Sequence, residues 1–165
     1  MSSGQHFFGG VEKPAPLLDY WSYDLVAENL IKAFKMLDRI TPGDGGSSAW
    51  PPILREYGDI VDELAGGETF KSRNQSRLIL TADQVSRVDD VMDWQRRYLR
   101  DQPGPSRVLA IWVRCKISKS KFQDACRASR INRHTAYRAR DRAVTLICSG
   151  LIADDRKPFS MDRYA

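Results

Sequence analysis

Apolar residues recur along this chain at helical spacing, in runs broken by glycine, proline and short polar clusters. Val26, Leu30, Ala33, Phe34, Leu37 and Ile40 form one stripe, with Glu28, Lys32, Lys35 and Arg39 largely opposite. Ser22 stands where a hydroxyl caps a helix, so the pattern predicts a helix from Ser22 to about Ile40. The stretch TPGDGGSS, residues 41–48, breaks it, because proline lacks the amide donor and glycines admit turns. Ile53, Leu54, Tyr57, Ile60, Val61 and Leu64 predict a second amphipathic helix, begun at Trp50-Pro51-Pro52 and ended by Gly66-Gly67. Residues 68–80 have no clear period, and Leu78-Ile79-Leu80 fits a short strand or an extended approach to the next helix.

Thr81-Ala82-Asp83-Gln84 matches a capping box. It opens a helix carrying Val85, Val88, Val91, Met92, Gln95 and Leu99, with residues 101–104 as its end. Pro105 then suits the first turn of a helix through Val108, Leu109, Ile111, Trp112 and Val113 to about Cys115, apolar nearly all round as a central core helix would be. Ser118 is placed to cap a further helix to about Ala128, and a last long helix is expected from Arg133 to Ile147, stopped by Gly150. The expectation is an all-α protein, a small helical domain ending in a C-terminal helix-turn-helix. Its parts would be a tail (1–19), a helical support (20–104), a helix-turn-helix region (105–150) and a C-terminal tail (151–165).

With 165 residues, 42% of them apolar and 28% charged, the chain has enough apolar surface to bury a core. Its longest apolar run, Val108 to Val113, is six residues, against about 20 for a membrane-spanning helix. Residues 1–10 have neither a basic start nor an apolar stretch, so no secretory signal is read and a cytoplasmic protein is expected. Three cysteines, Cys115, Cys126 and Cys148, are an odd number with no close pair. That argues against a disulfide scaffold or a four-ligand zinc site and for reduced thiols.

Charge changes the picture. Residues 1–105 hold 12 Lys/Arg against 16 Asp/Glu, whereas residues 106–147 hold 11 against 2. Residues 148–165 hold 3 of each, so one 42-residue segment carries the positive excess. Such asymmetry points to a polyanion partner, most often nucleic acid.

Residues 118–147 read as a helix-turn-helix. Two helices crossing steeply over a short turn need small residues where they approach. Ala125, Cys126 and Ala128 supply them on one side, Ala136 and Ala139 on the other, with Ile131 as the plug and Asn132 as the N-cap. Ala136, Ala139 or Arg140 through its stem, Ala143 and Ile147 are expected inward. Arg133, His134, Tyr137 and Arg138 are the expected base-contacting residues, at the end of the helix that enters the major groove in this motif, with Asp141 on the same outward side. Lys116, Lys119, Lys121, Arg127, Arg130, Thr135 and Arg142 are the expected phosphate contacts. Thr135 is included because a helix start offers a hydroxyl and unpaired amides to an anion.

Residues 125–138, ACRASRINRHTAYR, resemble the helix-turn-helix of sigma-factor-like proteins. They are more similar still to an uncharacterised family of helix-turn-helix proteins from bacterial genomes and phages or prophages. There a small residue, a turn ending in an aliphatic residue and a polar cap precede Arg-x-Thr-Ala-aromatic-Arg. Ser48-Ala49-Trp50-Pro51 resembles that family's Ser-x-Trp-Pro stretch. Val91-Met92-Asp93-Trp94 resembles its acidic, Trp-bearing helix, and residues 108–113 its apolar helix. The likeness covers roughly residues 20–150, and its specific part is the C-terminal third. It implies DNA binding. Two positions depart from the pattern: Arg130 stands where such turns commonly have glycine, and Ser129 where they have leucine. A left-handed backbone at Arg130 would cost about 1 kcal/mol relative to glycine.

Other candidate chemistry is weaker. His6 and His134 lack Cys or carboxylate partners at ligand spacing, so no metal or other cofactor is expected. Cys126 belongs to the packing face of the motif and reads as a buried structural thiol. The loop at 43–48 lacks the Gly-Lys-Ser/Thr of a phosphate loop. Asp89, Asp90 and Asp93 read as a solvated face or as partners of Arg96 and Arg97. Trp21, Trp50, Trp94 and Trp112 are assigned to the core. No convergent catalytic set is visible, so an enzyme is not expected.

The expected function is a phage or prophage transcription regulator that binds double-stranded DNA and, by occupancy, blocks or recruits polymerase. Two alternatives stay open. One is a phage small terminase subunit that marks viral DNA as a ring. The other is an interaction module or inhibitor whose basic face grips RNA polymerase or a host protein. Neither requires a membrane, and self-association is compatible with each.

Overall fold

The computed structural model describes residues 20–40 and 80–161, and within them every regular element is helical. The helix expected over 53–64, the loop at 43–48, Trp50 and both tail ends, 1–19 and 162–165, lie outside the described residues. Five helices follow in order: α1 (Tyr23–Ile40), α2 (Ala82–Tyr98), α3 (Pro103–Ser118), α4 (Phe122–Ala128) and α5 (Arg133–Ala153).

Local chemistry sets the starts. The Leu25 amide donates to the Ser22 hydroxyl at the head of α1. At α2 the capping box is complete, the Gln84 amide donating to Thr81 Oγ1 and the Thr81 amide to Gln84 Oε1. Proline sets the start of α3 two residues before the expected position: Pro103, not Pro105, is its first residue, which uses a proline where an amide would have no helical partner. Residues 103 and 104 therefore belong to α3 rather than to the end of α2. Ser118 does not cap α4. It is the last residue of α3, and its hydroxyl donates back to the Arg114 carbonyl at 3.0 Å. Lys121 takes the cap position of α4 instead, with no side-chain hydrogen bond.

Three helices end on a non-glycine residue in the left-handed region: Lys119 (φ 57°), Arg130 (φ 55°) and Asp155 (φ 50°). In each case the next amide reaches back five residues, Ser120 to Cys115, Ile131 to Cys126 and Arg156 to Leu151. This closure satisfies carbonyls that a helix end leaves open.

The core is organised on α3, whose Val108 to Val113 are all buried because α1, α4 and α5 pack around it. From α1 come Val26, Leu30, Ala33 and Phe34; from α2 Val88, Val91, Trp94 and Leu99; from α5 Ala136, Ala143, Val144, Ile147 and Leu151. Val85, placed on the α2 stripe by its spacing, is 44% exposed, because the first turn of α2 lies at the margin of the core.

Gly150 does not stop α5. The helix continues to Ala153, and Leu151 is fully buried. The segment expected as a tail from 151 contributes Leu151, Phe159 and Met161 to the core. Phe159 stacks edge-on against Trp21 with centroids 5.3 Å apart, and Trp21 stacks in the same way against Trp94. Asn29, wholly buried in α1, donates to the Phe159 carbonyl at 2.7 Å and accepts from the Met161 amide at 2.9 Å. Arg156 pairs with Asp90, and its carbonyl accepts from the Trp21 indole.

Candidate nucleic-acid interface

α4 and α5 are joined by residues 129–132. The turn is held by two backbone hydrogen bonds, the Arg130 amide to the Arg127 carbonyl and the Ile131 amide to the Cys126 carbonyl. They require the left-handed conformation that Arg130 adopts in place of glycine. Ala125, Cys126 and Ala136 are buried at the approach of the two helices, as their size requires, and Ile131 is partly buried against the same core. Ala128, expected among these small packing residues, is exposed, because α4 ends there and turns its last residue outward. Burial pushes the Cys126 thiol up to about 11, with the neighbouring Cys115 adding to it, so it is a packing group at neutral pH.

Asn132 caps α5. Its side-chain oxygen accepts from the His134 amide at 2.9 Å and from the Thr135 amide at 3.4 Å. Two of the amides expected to await an anion at this helix start are thus already engaged. The Thr135 side chain itself is exposed.

Arg133, His134, Arg138 and Arg142 are exposed on α5. Around the turn, Lys116, Lys119, Lys121, Arg127 and Arg130 are exposed as well. Among the described residues Lys119, Lys121, Arg130, Arg138 and Arg142 make no ion pair, and Arg127 has only a loose contact to Asp124 at 3.9 Å. On α2 and after α5, Arg87, Arg96, Arg97 and Arg156 each face a carboxylate, Asp83, Asp93, Asp154 and Asp90 respectively. Most of the cations around α4 and the first half of α5 thus have no close counter-charge among the described residues. His134, Arg138 and Arg142 lie four apart on one row of α5, and the like charges of Arg138 and Arg142 oppose one another there.

Tyr137 is placed differently from its expected outward neighbours. It is half-buried, its ring edge-on to buried Phe122 with centroids 5.3 Å apart. The Arg133 guanidinium lies 5.7 Å from the ring centre and that of Arg140 5.0 Å. The ring ties α4 to α5 and orients two arginines. Of Ala139 and Arg140, alternatives for the inward position, both are partly buried; the Arg140 side chain is 20% exposed and its guanidinium lies 5.6 Å from the Trp112 ring centre. It also pairs with Asp141 at 2.6 Å. Asp141 in turn accepts a hydrogen bond from the Tyr23 hydroxyl of α1 at 2.7 Å. This link joins residues 118 apart in sequence and has no local signature.

Among the described residues no three His, Cys, Asp or Glu side chains gather as a metal site would require, and no helix is long and apolar enough to cross a membrane. No protein-family model, curated protein or solved structure matches this chain at a significant level.

Proposed function

We propose that the protein binds double-stranded DNA by laying the N-terminal half of α5 in the major groove, α4 and α5 acting as a helix-turn-helix. The observation that carries this is the exposed, unpaired set of Lys119, Lys121, Arg130, Arg138 and Arg142 beside the α4–α5 turn. A polyanion supplies the counter-charge that these cations lack among the described residues. Arg133, His134 and Arg138 are the base-reading candidates, and Arg127, Arg130, Thr135, Arg142, Lys116, Lys119 and Lys121 the phosphate contacts. Tyr137 serves by setting Arg133. The resemblance of residues 125–138 to helix-turn-helix proteins of bacteria and phages supports the same reading. The role that follows is regulation of transcription by occupancy.

Selection from a random duplex library, with affinities measured at two salt concentrations, tests the proposal. A defined sequence motif is expected. With about half of the eleven basic residues of 106–147 on phosphate, the salt slope should be about −5. Arg133→Ala or Arg138→Ala should each cost about 1–3 kcal/mol where the side chain grips a guanine edge. Unchanged affinity in both variants would remove the base-reading assignment. A light-scattering mass of a monomer or dimer fits regulation, and a ring of subunits would favour packaging of viral DNA instead.

A further inference from the structure

We propose that Asp141 is a specificity-determining residue, accepting a hydrogen bond from the N4 amino group of a cytosine in the major groove; this rests on the reading of α5 as the groove-entering helix. Asp141 lies three residues after Arg138 and seven after His134, on the outward side of α5, and its side chain is 52% exposed. One carboxylate oxygen is crowded. Oδ1 accepts from the Tyr23 hydroxyl at 2.7 Å, from Arg140 Nε at 2.8 Å and from Arg140 Nη2 at 2.6 Å. The other, Oδ2, accepts from none of the described residues.

Each donor is itself held. Tyr23 is half-buried at the head of α1 and packs against the core. The Arg140 guanidinium lies close to the centres of both the Trp112 and Tyr137 rings, at 5.6 and 5.0 Å. A carboxylate that merely balances Arg140 would not need a third donor from a helix 118 residues away. What Tyr23 adds is orientation: the carboxylate is pinned through one oxygen, and the other meets no donor among the described residues and is left to solvent or a ligand.

The chemistry of the groove narrows its partner. A phosphate is repelled. Guanine and thymine edges offer only acceptors, leaving the amino groups of cytosine and adenine. Adenine places the N7 acceptor beside its amino group, which suits an amide and opposes a carboxylate. Cytosine N4 has no acceptor beside it on its own edge. The guanine paired with that cytosine, or one next to it, offers Arg138 its usual target.

The test is random-duplex selection with the full chain and with Asp141→Ala, Asp141→Asn and Tyr23→Phe, each checked for folding by circular dichroism. Wild type is expected to enrich cytosine at one position. Asp141→Ala should lose that preference by roughly tenfold or more while binding other sequences as well as before. Asp141→Asn keeps an acceptor and adds a donor, so its preference should shift toward adenine, and it replaces the alanine variant if that one does not fold. Tyr23→Phe should shrink the cytosine preference several-fold and leave the rest of the motif intact. An unchanged motif in all three variants, or affinity rising equally on all sequences, would overturn the assignment and leave Asp141 a counter-charge for Arg140. Wild-type enrichment of adenine at the position lost in Asp141→Ala would overturn the choice of cytosine. If wild type enriches no motif, the groove-reading proposal itself fails and this inference falls with it.

Discussion

The Tyr98 ring occupies the space where a side chain at residue 150 would begin. A Cβ added to Gly150 would lie 2.6 Å from Tyr98 Cε1, 2.9 Å from Cγ and closer still to Cδ1. The ring cannot swing away freely, because its hydroxyl donates to Asp154 at 2.8 Å. Glycine inside a helix costs about 1 kcal/mol relative to alanine, and here that cost admits the close approach of α2 to α5. Gly150→Ala should therefore destabilise the protein by about 1–3 kcal/mol, the overpacking outweighing the gain in helix propensity. Urea melts of Gly150→Ala, Tyr98→Ala and the double variant check it: the double should be more stable than the sum of the single effects implies. Simple stabilisation by Gly150→Ala would show that the ring moves aside at no cost.

Asn29 of α1 holds the C-terminal segment through two backbone hydrogen bonds, to Phe159 and Met161. Asn29→Leu keeps the volume and leaves both backbone groups without their partner in a buried setting. A loss of roughly 2–4 kcal/mol is expected, measured by chemical denaturation. A loss of under half a kcal/mol would mean that water reaches these groups.

Arg130 combines a strained backbone with an exposed charge, so stability and binding should separate there. Arg130→Gly relieves the φ of 55° and is expected to raise stability by up to about 1 kcal/mol. The same change removes a phosphate contact, so affinity for duplex DNA should fall and the salt slope become shallower by about one. Unfolding and binding measured on one preparation check both signs, and unaltered binding would take Arg130 off the interface.

Tyr23 and Tyr98 are each pushed up to about 12, first by burial and then by donating to Asp141 and Asp154. Their ordinary value, retained in the unfolded chain, is near 10. Both groups bind their protons more tightly when folded, so their contribution is complete below pH 10 and is lost as pH rises through 12. Stability should fall between those values, more gently in the Tyr23→Phe, Tyr98→Phe double variant. Urea melts at pH 9, 10 and 11 provide the comparison, and equal slopes in both proteins would contradict it.

Much of this molecule is legible in one dimension because much of it is local. The stripe of α1, the capping box at Thr81 and Gln84, the apolar α3 and the Asn132 cap each depend on residues within a few positions of one another. Short-range periodicity and capping chemistry are enough to place them. The basic segment is equally visible, as composition. What only the packed chain decided involves partners far apart. Gly150 reads as a stop until Tyr98 is beside it. Residues 151–161 read as a tail until Trp21, ahead of α1, and Asn29 of α1 take hold of them. Tyr137 reads as an outward side chain until Phe122 receives its ring. Asp141 reads only as an outward residue until Tyr23 and Arg140 fix one of its oxygens. A helix's own sequence states which faces are apolar; which residue lies opposite is set by how the helices cross, and no period within one helix encodes that.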